Sequence, residues 1–429
     1  MTDPSPTAET ELAEIKAAAR SDRGRAIDLA IEALRRGSEH PLVVRLVAEG
    51  LAEDRRWQDA AALLHSATLT SPDDADILTD FGAMLVRLGR PDEAMAAFDK
   101  ALAIAPDSYM AHLGAGSARL NLNQVAAARD HYRRALEIRP GAAEPLSALA
   151  VIAVREDDTA EARTLAERAL AARPNLVRAQ TAIAQADMIE GSPAAAEARL
   201  NWVLGRGDLD DEQRADALNF LADALDAQDR PAEAFGVYGA RNGIVQRLHA
   251  RTMQTTVAER RIDEARRLTA WFEAAPAAPW RQPAGEDRPG RSSVAGHVFL
   301  TGFPRSGTTL LETVLASHPS VVAMEESAVL TAVGGPFLAD YEGLRRLEAL
   351  DAVEADACRD AYWQGVEALF PEGIAGRVLV DKLALHTPAL PVIAKLFPGA
   401  KILFARRDPR DVVLSCFRRQ FRMNPATYE

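Results

Sequence analysis

The chain has 429 residues, of which 48% are hydrophobic and 26% charged, a balance typical of soluble globular proteins long enough for two or three domains. Aromatic residues make up only 6%, so small and aliphatic side chains must build the core, which favours helices. The net charge of −12 argues against general nucleic-acid binding, but 8 basic and 3 acidic residues lie between Lys395 and the C-terminus. This local excess of positive charge indicates a small anionic ligand.

From its cysteines and its first residues we expect neither a disulfide framework nor export by an obvious signal. Its two cysteines, Cys358 and Cys416, form no spaced pattern for disulfides or for zinc. The first residues are polar and acidic, and no window approaches the ~20 apolar residues that a membrane span requires. We therefore expect a cytoplasmic protein without a membrane span and without a nucleic-acid partner.

A period of 34 residues runs through the first half of the chain. Small residues and one large aromatic residue recur within each unit, and a proline closes it, which lets two helices pack closely and ends the second one. The pattern resembles the tetratricopeptide repeat, with about five units from residue 42 to 206 and a further unit offset by four residues near Ala234 and Tyr238. The prolines are Pro72, Pro106, Pro140 and Pro174; the small residues are Gly82, Gly116, Ala150 and Ala184, with Ala94, Ala128, Ala162 and Ala196; the large residues are Phe98 and Tyr132.

The repeat resemblance implies a helical solenoid whose groove holds a peptide or protein. An array that mainly assists folding or dimerisation is an equally open interpretation. We place this solenoid at residues 1–245 and a helix followed by a Pro/Gly-rich linker at residues 246–293, with the linker itself in 276–293. A second domain is expected at residues 294–429.

The second half changes to short β-rich runs that alternate with helices, which predicts a parallel α/β sheet with ligands at the carboxyl ends of its strands. We read three strands there, in HVFLTGF, RVLVDK and KILFA. The first is followed by Gly302-Phe303-Pro304-Arg305-Ser306-Gly307-Thr308-Thr309. Its glycines are spaced as in a Walker A loop, but Thr308 stands where a nucleotide triphosphatase has lysine. The loop and the next helix can still bind a phosphate through their N–H groups, while ATP hydrolysis is disfavoured.

A second candidate motif, RDPRDVVLS from Arg407 to Ser415, follows the strand KILFA. The spacing can bring the Arg407 guanidinium and the Ser415 hydroxyl to one phosphate, with charge-assisted hydrogen bonds from the arginine. Asp408 and Arg410 are interpreted as ordinary surface charges.

Together the two motifs resemble the sulfotransferase family, and PRSGTTLLETVLASHPSVVAMEES is similar to tyrosylprotein sulfotransferases and to bacterial sulfotransferases with tetratricopeptide repeats. The resemblance implies transfer of a sulfuryl group from 3′-phosphoadenosine 5′-phosphosulfate (PAPS), with PAP as product, to an acceptor hydroxyl such as that of a protein tyrosine. As the family performs it, this chemistry requires no metal. The resemblance covers residues 297 to about 422.

The resemblance assigns catalytic roles to three residues. Glu326 matches the general base, Lys382 the cation near the bridging oxygen, and Arg305 a further stabiliser of the leaving group. The neighbour Glu325 is expected to point elsewhere, in a structural role. Met324 departs from the family pattern, which has glycine before the glutamate pair.

The same resemblance assigns the nucleotide to eight residues. The loop of residues 302–307 and the start of the helix after it would hold the 5′-phosphosulfate. The second motif would hold the 3′-phosphate, together with an arginine that lies twelve residues after Arg407. These residues are Arg305, Ser306, Gly307, Thr308 and Thr309, with Arg407, Ser415 and Arg419. Of the other candidates, Lys395 and Lys401 are predicted to be exposed, and His318 and His386 either to be structural or to support the site residues from behind.

Two other functions remain open at the level of sequence. One is a repeat scaffold whose sulfotransferase-like domain is inactive, and the other, disfavoured by Thr308, is a P-loop kinase. Family members continue for well over a hundred residues beyond the RDPRDVVLS helix, so we expect the α/β domain to be C-terminally truncated in this chain. The acceptor could equally be a carbohydrate or a small molecule.

Overall fold

The computed structural model describes residues 8–253, 258–274 and 294–419. The first two ranges are helical, with short turns between successive helices. The helices are α1 (Ala8–Ser21), α2 (Arg23–Arg35), α3 (Pro41–Glu53), α4 (Trp57–Thr70), α5 (Ala75–Arg87), α6 (Pro91–Ile104), α7 (Tyr109–Asn121), α8 (Val125–Ile138), α9 (Ala143–Arg155), α10 (Thr159–Ala172), α11 (Val177–Ile189), α12 (Pro193–Leu204), α13 (Asp211–Asp226), α14 (Pro231–Met253) and α15 (Ala258–Ala274).

The five predicted repeat units are confirmed as the five helix pairs from α3 to α12. Close packing explains the alternation of small and large residues. A Cβ atom on Gly82 would lie 2.8 Å from the Phe98 ring, and one on Gly116 would lie 2.7 Å from the Tyr132 ring. Both rings are buried, so the glycines leave the space that the aromatic side chains fill.

The turn inside each pair explains why the repeat keeps its length. One residue there has a left-handed backbone, and five such residues are 34 positions apart, while the sixth follows after 38, which matches the predicted four-residue offset. Glycine and short polar residues tolerate this conformation best. The six residues are Arg55, Gly89, Asn123, Asp157, Gly191 and Asp229, with φ between 57° and 73°.

Residues 294–419 form the predicted parallel α/β fold, with four strands in the order β2-β3-β1-β4 rather than the three that we read from the sequence. The additional strand, β2, covers the short run that ends at Glu325, the first of the two adjacent glutamates. The elements are β1 (Gly296–Gly302), α16 (Thr308–Ala316), β2 (Val321–Glu325), α17 (Val329–Leu338), α18 (Tyr341–Glu348), α19 (Ala352–Leu369), β3 (Val378–Lys382), a 3₁₀-helix (Ala384–Ala389), α20 (Leu390–Leu396), β4 (Lys401–Ala405) and α21 (Pro409–Phe417).

The two faces of this sheet bury different kinds of residue. Alternation along β3 sends Leu379 and Asp381 to one face and Lys382 to the other. The first face carries the hydrophobic core, in which Phe299 packs with residues of α17 to α20 such as Tyr362. The second face packs against α16, the helix that follows the loop of residues 303–307.

Contacts divide the chain into two units, one of residues 1–209 and 220–234 and one of residues 210–219 and 235–429. The domain boundaries that we drew from the sequence stay a prediction, and the predicted linker at 276–293 lies outside the described residues. Among the helices in the described ranges, none is both long and apolar enough to cross a membrane.

Candidate active site

All four strands end at one edge of the sheet, because they are parallel and in register. Lys382 at the end of β3 pairs with Leu300 of β1 and with Glu325 of β2, and Gly302 pairs with Ala405 of β4. The polar segments predicted from the sequence follow these strand ends. The carboxyl edge of a parallel sheet is the usual ligand site of such folds.

The loop of residues 303–307 has a backbone that few sequences could adopt. Arg305 and Gly307 are left-handed, with φ of 70° and 98°. A Cβ atom on Gly302 would lie 2.7 Å from both the Ala405 carbonyl oxygen and the Ser306 Oγ, so glycine is required there. Ser306 Oγ is buried and makes no hydrogen bond to any described residue, which fits a hydroxyl that awaits an anionic group.

Arg305 connects this loop with the second motif. Its Nε donates a hydrogen bond to Ser415 Oγ at 3.0 Å, and Arg407 Nη1 donates to the Arg305 carbonyl oxygen at 3.4 Å. Arg407 also lies 3.6 Å from Asp411, and its side chain is about half exposed. Three predicted nucleotide-binding residues are therefore neighbours across 110 residues of sequence.

Lys382 lies in a cluster of carboxylates. Its side chain is fully buried, and its Nζ lies 3.0 Å from Glu312, 3.5 Å from Glu325 and 3.3 Å from Glu326. Burial lowers the pKa of the ammonium, but the hydrogen bond to Glu312 and the charges of Glu326 and Glu312 outweigh it, and the pKa of Lys382 is raised. The lysine is thus held charged at the end of β3.

The expectation that Glu325 points away is wrong. Glu325 pairs with Lys382 in the parallel register, so both side chains leave the same face of the sheet. Glu326 comes immediately after β2; its N–H donates to the Lys382 carbonyl oxygen at 2.8 Å, and its φ is 43°. Met324, where the family pattern has glycine, is 2% exposed and packs in the core.

Among the described non-glycine residues, those with a left-handed backbone fall into two groups, the turns of the repeats and two residues of this site, Arg305 and Glu326. A left-handed backbone at a residue other than glycine costs free energy, roughly 1–3 kcal/mol. Such strain after two of the strands, β1 and β2, at one polar edge indicates a site whose geometry is held by its surroundings.

The other predicted residues of this edge differ in placement. Thr308 is buried at the start of α16, whereas Thr309 is exposed. Arg419 is exposed after α21, and its side chain makes no hydrogen bond to Arg407 or Ser415 within the described residues.

Among the residues outside the site, Asp408 pairs with the Arg410 guanidinium at the surface, and it also caps α21 by accepting from the Arg410 N–H. Lys401 and His318 are exposed, as predicted for Lys401. The prediction that Lys395 is exposed is wrong. It is 4% exposed, and its Nζ donates to the Glu348 carbonyl oxygen at 3.1 Å, because α20 packs in the core.

The end of α21, the helix of Ser415, is held by a residue that the sequence did not reveal. Arg241 of α14 is fully buried and donates to the carbonyl oxygens of Phe417 at 2.6 Å and Arg418 at 3.2 Å. Asn242 donates to the Phe417 carbonyl oxygen as well. These bonds satisfy carbonyl groups that a helix leaves open at its C-terminus.

A second polar cluster lies on the opposite face of the sheet, beneath Lys382. The Tyr362 hydroxyl donates to Asp381 Oδ2 at 2.8 Å and lies 3.0 Å from His297 Nε2. His386 is buried, and its Nδ1 lies 3.8 Å from Asp381 Oδ1; its role as structural or supporting stays a prediction. Burial raises the pKa of Asp381 to about 7 and lowers those of His386 and His297 to about 4 and about 3.

This cluster predicts a loss of stability between pH 6 and 8. The folded state keeps a proton on Asp381 up to about pH 7, whereas the unfolded chain loses it near pH 4, so the folded state loses stability as the pH rises. His297 and His386 change the stability mainly below about pH 6.5, and both are still present in Asp381→Asn, so their contribution cancels in the comparison. We expect the unmodified chain to lose on the order of 1.4 kcal/mol more than Asp381→Asn over this range. Hydrogen exchange of β3 at both pH values, corrected for intrinsic rates, measures this difference; equal losses would contradict it.

Comparison with known proteins finds matches for both the helical repeats and the α/β domain. Residues 297–429 match the Sulfotransferase family, and residues 48–177 match the tetratricopeptide repeat in three overlapping segments. Protein-tyrosine sulfotransferase 1 of Danio rerio is 30% identical over 126 residues, which cover 29% of this chain and 36% of the relative. Protein-tyrosine sulfotransferase 2 of Gallus gallus is 31% identical, over 29% of this chain and 34% of the relative.

The matched part thus spans about a third of the length of these curated relatives. Among solved structures, a tetratricopeptide repeat protein from Parabacteroides merdae has a TM-score of 0.43 and 15% identity, covering 55% of this chain and 92% of that protein. The chain therefore combines tetratricopeptide repeats with a domain of the sulfotransferase family.

Proposed function

We propose that this protein transfers a sulfuryl group from PAPS to an acceptor hydroxyl, the first acceptor to test being a protein tyrosine. The observation that carries the proposal is the meeting of four segments at one edge of the sheet. The anion-binding type of loop follows β1, Glu326 follows β2, Lys382 ends β3, and Arg407 follows β4. Each element of the expected chemistry is therefore at a strand end.

The residues of the loop and of α21 fit the two acidic ends of the nucleotide. The N–H groups of the loop and of the start of α16, with the buried Ser306 hydroxyl, would bind the 5′-phosphosulfate. Arg407 and Ser415 would bind the 3′-phosphate by charge-assisted hydrogen bonds. The assignment of Thr308, Thr309 and Arg419 to the nucleotide stays a prediction.

In the proposed transfer, residues of this site take up the proton of the acceptor and stabilise the charge on the leaving group. The acceptor oxygen forms a bond to sulfur while the bond between sulfur and the bridging oxygen breaks. Glu326 takes the acceptor proton, and the electron pair left on the bridging oxygen is stabilised by Lys382, assisted by Arg305. The side chain of Glu326 is 62% exposed, so an acceptor that arrives from solvent can reach it.

Tyrosine as the acceptor is supported by the names of the two relatives reported above, both of which are protein-tyrosine sulfotransferases. A groove of tetratricopeptide repeats is suited to hold an extended peptide, so we propose that the repeats present the acceptor protein.

The described residues contain no group of three or more His, Cys, Asp or Glu side chains arranged for a metal ion. The cytoplasmic location also stays a proposal.

The first test is transfer of labelled sulfate from PAPS to tyrosine peptides and to glycans, beside calorimetric titration with PAP and with ATP. We expect transfer to a tyrosine peptide, and PAP binding that is stronger than ATP binding. Transfer to glycans alone would contradict the tyrosine acceptor. Tight ATP binding with phosphoryl transfer would contradict the proposed chemistry altogether.

The same titration tests the nucleotide site. Arg407→Ala should weaken PAP binding at least about tenfold, since it removes a charge-assisted contact to phosphate, equivalent to about 1.4 kcal/mol or more. Arg410→Ala is the matched control, because its side chain is 90% exposed and paired with Asp408. Equal affinities for PAP in the two variants would exclude Arg407 from the site.

A further inference from the structure

The three carboxylates around Lys382 differ in exposure. Glu312 lies at the shortest distance from Nζ, 3.0 Å, and its side chain is 8% exposed. Glu325 and Glu326 lie at 3.5 and 3.3 Å, with side chains 69% and 62% exposed. Glu312 is therefore the carboxylate that shares the buried surroundings of the ammonium.

This difference in exposure decides which carboxylate holds the lysine. The attraction between two charges is strong where water is excluded and weak where water and salt screen it. Burying the ammonium without a buried partner would be strongly unfavourable, whereas solvent-exposed ion pairs contribute little. Burial raises the pKa of Glu312, and Lys382 opposes that increase, as expected for a pair that shares one buried space.

Glu312 also occupies a fixed position. It lies in the middle of α16, which packs on the sheet face of Lys382 and whose start follows the loop of residues 303–307. One helix thus places both the loop and the partner of the lysine. Glu326, by contrast, follows a strand end and reaches the lysine with an exposed side chain.

We infer that Glu312 is a positioning residue for Lys382, which holds the ammonium at the carboxyl end of β3 independently of Glu326. The inference rests on the proposed function in one respect. If Glu326 takes the acceptor proton, its negative charge disappears during each turnover. A partner that keeps its charge must then hold the lysine toward the bridging oxygen, and Glu312 is buried beside it.

The test uses the five lysines of the chain, few enough for NMR of the protein with ¹³C-labelled lysine. Lys382→Met assigns the Lys382 signal. In the unmodified chain we expect Lys382 to lose its proton only above the ordinary range of a lysine, because its pKa is raised, and in Glu312→Gln to lose it at a clearly lower pH than in the unmodified chain. Glu325→Gln is the matched control, since it removes a charge from the same cluster, and should shift the titration much less.

Activity gives a second readout. Glu312→Gln should lower kcat at least about tenfold, shift the alkaline limb of the pH–rate profile to lower pH, and leave the affinity for PAP within about twofold. Glu312→Asp keeps the charge but withdraws it by one methylene group, so its kcat should lie between those of the unmodified chain and Glu312→Gln. It also serves if Glu312→Gln does not fold, which the signals of the other four lysines would reveal.

Two results would overturn the inference: an unchanged Lys382 titration in Glu312→Gln, or an equal shift in Glu325→Gln. Neither depends on turnover. If the unmodified chain transfers no sulfuryl group to any acceptor, the proposed function fails, while the Lys382 titration still decides the role of Glu312.

Discussion

Replacing Glu326 with glutamine should reduce sulfuryl transfer by roughly 10²–10⁴-fold, because the amide keeps the shape of the side chain but cannot take the acceptor proton. Binding of PAP should stay nearly unchanged, since Glu326 contacts Lys382 and lies on the acceptor side of the proposed step. The measurement is the rate of transfer from labelled PAPS at saturating acceptor, beside calorimetry with PAP.

The neighbouring Glu325→Gln is the matched control for this prediction. Both side chains are exposed and lie within 3.5 Å of the Lys382 ammonium, so the two variants remove the same charge from the same cluster. A comparable loss of rate in both would show that charge alone matters and not a base at Glu326. Loss of PAP binding in Glu326→Gln would also contradict the assigned role.

Replacing Lys382 with methionine should lower the rate by roughly 10²–10³-fold, the usual effect of removing one preorganised charge from a transition state. Methionine fills much of the buried space but supplies no positive charge to the leaving oxygen. PAP affinity should fall far less than the rate, because the phosphates are expected to rest on the loop and on Arg407. Single-turnover kinetics with preformed enzyme–PAPS complex separates the two effects.

Lys401→Met serves as the control, because Lys401 is an exposed lysine at the start of β4, away from the carboxyl edge. It should leave both rate and affinity unchanged. If Lys382→Met lost PAP affinity as strongly as rate, Lys382 would be a binding residue of the nucleotide and not a stabiliser of the leaving group.

The repeat array could be predicted closely because its structure follows from local contacts. Each unit repeats the same close approach of two helices, so glycine beside Phe98 or Tyr132 recurs at the fixed period. The left-handed turn residues keep that period even where the residue is not glycine, as at Asn123 and Asp157. The period therefore shows in the sequence before any long-range contact is known.

Several residues of the candidate site could not be predicted, because their roles depend on which strands are neighbours. Glu325 faces Lys382 only because β2 pairs with β3, and nothing within the β2 segment indicates that pairing. Glu312 gave one weak signal, a carboxylate in a helix of otherwise apolar and threonine residues. Lys395 looked like a surface lysine until its helix was seen to pack in the core.

The sequence by itself determined the repeat period, the change to a parallel α/β fold, and the two motifs around Arg305 and Arg407. These depend on patterns within a few tens of residues, where helix and strand spacing is encoded directly. Tertiary structure alone decided which charges share the buried space of Lys382. A carboxylate holds an ammonium strongly only where water is excluded, and the exclusion of water is a property of packed elements that are distant in sequence.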